Sequence, residues 1–299
     1  MTCELFVDRK FSGGSLAIIE QANTILNEYA KQNLVLTLRQ LYYQFVARGL
    51  IPNKQTEYKR LGSVINDARL AGLVDWDMVE DRGRSLRELN TWDSPSDIVE
   101  ACARQFRLDL WSDQKWRPEV WIEKDALLGV IEAPCNELRV PYFACRGYNS
   151  QSEAYKAGKR FERYREGGQT PIVFHFGDHD PSGIDMTRDN RDRLDLFSRA
   201  DVDVRRLALT MKQIEQYNPP PNPAKETDSR SGGYLAKYGT ESWELDALEP
   251  TVMGALVRDN VRPLIDGSKW KKQQKAEQDC RNTLSAISDR WDDVQEFLA

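Results

Sequence analysis

The sequence predicts an α/β protein in two parts. Residues 1–110 form a helical, winged-helix-like domain, and residues 111–299 a mostly parallel sheet flanked by helices. Two patterns carry this. Apolar residues recur at helical spacing through 15–72, and beyond 119 short apolar runs of strand length alternate with helical stretches. At 299 residues the chain is long enough for two cores.

The first helix, over 15–33, is carried by Leu16, Ile18, Ile19, Ala22, Ile25, Leu26 and Tyr29. Thr37 is placed to cap a second, with Leu38, Leu41, Tyr42, Phe45 and Val46 on one face and Gly49 at its end. A third over 57–72 carries Tyr58, Leu61, Val64, Ile65, Ala68 and Leu70, and 73–76 reads as a short extended tail. Three short helices with tight turns suit a helix-turn-helix or winged-helix unit that binds nucleic acid, or equally a generic helical subdomain. Arg82, Arg84 and Arg87 follow, as phosphate contacts or as a solvated loop. Asp93, Ser94, Pro95, Ser96 and Asp97 mark a turn into a connecting helix at 98–110, with a domain boundary at 111–118.

In the second part, strands are expected at 119–122, 140–144, 170–176 and 203–209, and helices at 125–137, 152–164 and 185–196. In such sheets ligands bind at the carboxyl ends of the strands. The strand at 170–176 runs out at Gly177 into Asp178, His179, Asp180, Pro181, Ser182 and Gly183. Two acids one residue apart on extended backbone share a side, and Gly183 permits a tight turn into the next helix. The strand ending at Ile122 releases Glu123 at the same edge. Three carboxylates brought together there form a hard-oxygen set suited to magnesium. Acids after strands also serve as helix caps, and a lone Asp-x-Asp says little. His179 should face away from its acidic neighbours, and His175 reads as a core histidine. Glu244 and Asp246 read as a solvated acidic stretch before they read as a second metal site.

Composition narrows the classes. Five cysteines lie scattered, without a paired Cys-x-x-Cys spacing, and only two histidines are present. The cysteines are therefore expected to be reduced and mostly buried, and a zinc site of the usual kind is not expected. A formal charge of -5 argues against indiscriminate coating of nucleic acid but leaves local basic surfaces open. No run reaches the length of a membrane span, and residues 1–10 lack a signal-type apolar core, so a cytoplasmic protein is expected.

Glu123 within Val120-Trp121-Ile122-Glu123-Lys124-Asp125, followed by Asp178-His179-Asp180-Pro181-Ser182-Gly183, resembles a Toprim domain. Leu38-Arg39-Gln40-Leu41-Tyr42-Tyr43 resembles the Arg-x-x-x-Tyr motif in the winged-helix domain of topoisomerase VI A subunits and the meiotic double-strand-break proteins related to them. Arg146-Gly147-Tyr148 and Trp243-Glu244-Leu245-Asp246-Ala247-Leu248 resemble two further elements of that superfamily, in the same order along the chain. Asn149-Ser150-Gln151-Ser152 departs from it, standing where those topoisomerases usually carry Pro-Asp and a later Arg. Residues 251–299 match nothing in it.

The resemblance implies magnesium-dependent cleavage of double-stranded DNA by a divergent relative. Tyr43 would be the nucleophile, leaving a 5'-phosphotyrosine. Arg39, one helical turn earlier, would stabilise the phenolate or hold the phosphate. Glu123, Asp178 and Asp180 would hold the metal, with Lys124 adding charge at the phosphate. It further implies a homodimer, since one tyrosine cuts one strand, and a separate ATPase subunit, since no Gly-rich Lys-Ser/Thr nucleotide loop is present in this chain. The residues alone leave open packing as the role of Tyr43. They also leave open a Toprim-type hydrolytic nuclease whose helical domain only binds DNA, and a non-catalytic DNA-binding component.

Overall fold

The computed structural model describes residues 3–32, 34–80, 89–224 and 231–299. Helix α1 (Gly13–Ala30) starts at Ser12, whose side chain accepts the Ser15 amide, and turns Ile18, Ile19, Ala22, Ile25, Leu26 and Tyr29 inward. Strand β1 (Leu36–Thr37) leads directly into α2 (Leu38–Ala47), where Thr37 and Gln40 form a reciprocal capping box. Helix α3 (Gln55–Leu70) packs against α1 and α2, and β2 (Val79–Glu80) pairs in parallel with β1. The tail expected to be extended at 73–76 instead enters a 3-10 turn, Trp76–Met78, which Asp75 caps through the Asp77 amide. Arg82, Arg84 and Arg87 lie outside the described residues.

Helix α4 (Pro95–Gln105) begins three residues before its expected start, because Ser94 caps it and Pro95 suits the first turn. Then β3 (Trp116–Ile122), α5 (Leu128–Glu137), β4 (Tyr142–Ala144), α6 (Gln151–Glu166), β5 (Thr170–Phe176), α7 (Pro181–Ser198) and β6 (Asp203–Ala208) alternate. They build a four-stranded sheet in the order β4-β3-β5-β6, parallel at every pair. The chain enters at β3, steps outward to β4 and returns past β3 to β5. The direction of winding therefore reverses between β3 and β5, the place in such sheets where ligands bind at the carboxyl ends of the strands.

Beyond β6 come α8 (Met211–Tyr217), β7 (Asn222–Pro223), α9 (Ser231–Tyr238) and β8 (Glu241–Ser242), with β7 and β8 antiparallel. A 3-10 turn (Leu245–Ala247), α10 (Pro250–Val261), α11 (Gly267–Asp289) and α12 (Trp291–Leu298) complete the chain. One face of the sheet buries Val120, Ile122, Phe174 and Phe176 against Ile131 of α5 and Met253 and Val257 of α10. The other buries Trp121 and Val173 against Phe161 of α6 and Leu194 of α7. With both faces covered, the central strands are buried on both sides and largely apolar, with Glu119 and His175 as buried polar residues within them.

The N-terminal helices have their own core around Leu36, Leu41, Phe45, Leu61 and Ile65, and Ala247 of the 3-10 turn packs against it. Helix α4 lies along α11, where Arg281 donates to the carbonyls of Ala103 and Arg104. Among the described residues no helix is long and apolar enough to cross a membrane. All five cysteines are free; Cys135 and Cys145 are buried, whereas Cys3, Cys102 and Cys280 are exposed, contrary to the expectation of mostly buried thiols.

Candidate active site

The carboxyl ends of β3 and β5 present Glu123 and Asp178 as the first side chains beyond the sheet. The Glu123 amide still donates to Phe176 across the strands at 2.8 Å, and the Asp178 amide donates to Glu123 Oε2 at 2.8 Å. Gly177 lies between them, where a Cβ would stand 3.0 Å from Glu123 Oε2 and 3.1 Å from His175 Cε1. Asp180 caps α7, its Oδ1 accepting the Gly183 amide at 2.6 Å and the Ser182 hydroxyl at 2.9 Å. The Arg146-Gly147-Tyr148 element follows β4 at the same edge, with the Gly147 amide donating to the Glu123 carbonyl at 3.3 Å. Tyr148 reaches Asp185 at 2.6 Å, and Gly147 takes a φ of 87° that suits glycine.

Burial, then the charge of Asp178, pushes Glu123 up to about 7, and burial raises Asp178 above the usual carboxylate range although Lys124 opposes it. Carboxylates that repel one another in this way favour a divalent cation, and the all-oxygen donor set suits magnesium. Glu123, Asp178 and Asp180 are the acids from which its one or two protein carboxylates would come. Their oxygens do not close into a cage: among the described residues no three His, Cys, Asp or Glu side chains form a group that would hold a metal ion. A magnesium ion commonly binds one or two carboxylates and takes its other ligands from water and substrate phosphate, so a closed cage is not required.

Lys124 supplies the positive charge at this edge. Its Nζ lies 2.8 Å from Asp178 Oδ1, 2.6 Å from Asp246 Oδ2 and 3.1 Å from Glu244 Oε2. Burial alone would depress the ammonium, but Asp178, Asp246 and Glu244 outweigh it and hold it above its ordinary value. The Asp246 side chain has 0% exposure, and its Oδ1 has no hydrogen-bond partner. The reading of Glu244 and Asp246 as a solvated stretch is thus corrected. The 3-10 turn that carries Asp246 is drawn under the sheet edge by the Leu245 amide, which donates to Asp178 Oδ1 at 2.7 Å.

Helix α2 rests on that same turn, which brings the N-terminal residues into the site. Arg39 forms an ion pair with Glu244, its Nε lies 3.8 Å from Asp246 Oδ2, and its guanidinium carbon stands 6.0 Å from the centre of the Tyr43 ring. Arg39 and Tyr43 therefore share a face of α2, as their spacing predicts. Tyr43 is buried; burial, then the Glu244 charge, pushes its phenol up to about 12, while a hydrogen bond with Asn222 opposes the rise. Tyr42 turns elsewhere and donates to Asn53 Oδ1 at 2.9 Å. Arg39, Tyr42, Tyr43, Tyr58, Asn222 and Glu244 line a cleft of about 280 Å³.

The histidines serve the scaffold. His175 is fully buried, its Nδ1 is 2.9 Å from the Thr187 hydroxyl and its Nε2 is unpartnered. His179 is buried among Tyr234, Tyr238 and Trp243, with Nδ1 2.8 Å from the Tyr234 hydroxyl. The residue that sequence reasoning missed is Arg206. From β6 it donates to the carbonyls of Gly177, Asp178, Gly183 and Leu209 and to the Thr187 hydroxyl, and so holds the acidic turn from behind. The signal was the pair Arg205-Arg206 in a strand, where alternation directs one arginine inward.

The chain matches no protein-family model and no curated protein.

Proposed function

We propose that this chain is a magnesium-dependent DNA-cleaving protein of the topoisomerase VI A kind, with a winged-helix-like N-terminal part and a Toprim-like sheet. The observation that carries this reading is the seating of α2 on the 3-10 turn. Through it Arg39, which lies beside Tyr43, pairs with Glu244 and Asp246, and these in turn pair with Lys124, which also contacts Asp178.

In this scheme the Tyr43 hydroxyl attacks phosphorus and gives up its proton, the bond to the 3'-oxygen breaks, and that oxygen leaves protonated. The product is a 5'-phosphotyrosine and a free 3'-hydroxyl. One or two of Glu123, Asp178 and Asp180 would hold magnesium, which would supply Lewis-acid polarisation of the phosphoryl oxygen and stabilisation of the leaving oxygen. Lys124 fixes Asp178 against the sheet edge, and Arg39 presents positive charge beside the phenol. One tyrosine cuts one strand, so paired cuts require a two-fold homodimer. A separate subunit would supply the ATPase.

A second reading, hydrolysis by a Toprim-type nuclease, is favoured by one observation: the phenol is buried and pushed up to about 12, which makes it a weak nucleophile at neutral pH. Denaturing gels of cleavage reactions separate the two. Covalent attachment of protein to the 5' end is expected for wild type and for Tyr42→Phe, and is lost in Tyr43→Phe. Cleavage by Tyr43→Phe without any adduct would instead establish hydrolysis.

A further inference from the structure

A single carboxylate oxygen, Glu244 Oε2, accepts from two cations that belong to different parts of the molecule. Arg39 approaches from α2, and Lys124 Nζ approaches from the end of β3 at 3.1 Å. An oxygen held jointly by a guanidinium and an ammonium is the arrangement that a phosphate oxygen takes. Glu244 also lines the cleft beside Tyr43.

Glu244 and its neighbour Asp246 are not equivalent. The Asp246 side chain has 0% exposure and that of Glu244 26%. If Glu244 swings into solvent, Lys124 keeps Asp246 at 2.6 Å and Asp178 at 2.8 Å, and Arg39 keeps Asp246 at 3.8 Å. Neither cation is left without a counter-charge, while Glu244 regains hydration. Its departure also removes a negative charge that raises the Tyr43 phenol.

We infer that Arg39 and Lys124 form a subsite for a phosphodiester oxygen, and that Glu244 occupies it as a displaceable intramolecular surrogate. Asp246 is the permanent counter-ion and Glu244 the exchangeable one. The ligand class, a phosphodiester, rests on the DNA-cleavage reading above. The anion subsite rests on the geometry alone. Substrate binding then has to outcompete Glu244, which discriminates against weakly held anions.

The test is binding by the full chain without added metal, in EDTA, so that no cleavage intervenes. Inorganic pyrophosphate is titrated by calorimetry and a short DNA duplex by fluorescence anisotropy, both at low salt. Glu244→Gln, nearly isosteric, is expected to bind each probe roughly three- to tenfold tighter than wild type, the range expected when weak, partly exposed ion pairs no longer compete. The gain should vanish in the Arg39→Gln, Glu244→Gln double variant. Glu241→Gln is the control for net charge, since Glu241 is exposed and its side chain makes no ion pair with Arg39 or Lys124. No gain for pyrophosphate in Glu244→Gln, or an equal gain in Glu241→Gln, overturns the proposal. A gain for pyrophosphate with no duplex binding by any variant supports the subsite and removes the DNA reading. Duplex binding that is equal in wild type and Glu244→Gln overturns the surrogate and leaves the DNA reading standing.

Discussion

Lys124 Nζ lies 2.6 Å from Asp246 Oδ2, a contact that ties the end of the first sheet strand to the turn on which α2 rests. With no exposure of the Asp246 side chain, replacing the lysine by an apolar residue of similar length leaves a buried carboxylate with only the Arg39 contact at 3.8 Å. Lys124→Met should cost about 3 kcal/mol of unfolding free energy, because breaking a buried pair from one side leaves Asp246 with only the longer Arg39 contact and Asp178 without its ammonium partner. Adding Asp246→Asn should recover part of the loss. Urea denaturation of wild type and the two variants measures both, and a cost within experimental error for Lys124→Met would contradict a buried pair.

The pH dependence follows from His175. Burial, with Arg206 adding like charge, pushes its imidazole down to about 3, against about 6.5 in an unfolded chain. The folded value is depressed, so the unfolded state binds the extra proton at acid pH. The stability contribution of the neutral ring is therefore complete above about pH 6.5 and is lost as pH falls toward 3, at up to about 1.4 kcal/mol per pH unit. Glu123, pushed up to about 7, acts in the opposite sense, because there the folded state holds the extra proton. Nitrogen NMR of the ring isolates the histidine: His175 should remain neutral at pH 5 in the folded protein, and protonation near pH 6.5 would refute the assignment.

Gly183 closes the acidic turn against its own backbone. A Cβ there would lie 2.1 Å from the Asp178 carbonyl oxygen. Gly183→Ala must displace the segment carrying Asp178 and should destabilise the fold by about 2–3 kcal/mol. Gly232, within α9, has nothing within 4 Å of an added Cβ, so Gly232→Ala should be neutral or slightly stabilising. Thermal melts of the two variants make the comparison, and equal midpoints would show that the turn yields.

Magnesium should stabilise the protein as well as support cleavage. At ten times its dissociation constant a ligand adds about 1.4 kcal/mol to unfolding. Melting of wild type with magnesium should show this gain, and Glu123→Gln or Asp178→Asn should show little of it. An unchanged midpoint in wild type across millimolar magnesium would remove the metal from the acidic edge.

Much of the frame was legible from local pattern. Strand β5 runs Thr170–Phe176, the span that its apolar run predicts, and Thr37 caps α2 just ahead of the helical face that begins at Leu38. A strand buried on both faces and a capped helix are set by neighbours in sequence, so residue order is enough. The same local logic put Glu123 and Asp178 at strand ends and put Arg39 one turn from Tyr43.

Contacts between distant segments were decided by tertiary structure alone. Nothing near Asp246 in sequence announces that its carboxylate will be buried on Lys124, and a run reading Glu-Leu-Asp looks solvated until the turn is drawn under the sheet edge. Arg206 is likewise an ordinary strand arginine until five donors meet the carbonyls and hydroxyl around the acidic turn. Periodicity fixes which face of an element a side chain occupies. Which charges then meet is set by how those faces pack, where burial makes each unpaired charge costly enough to select its partner.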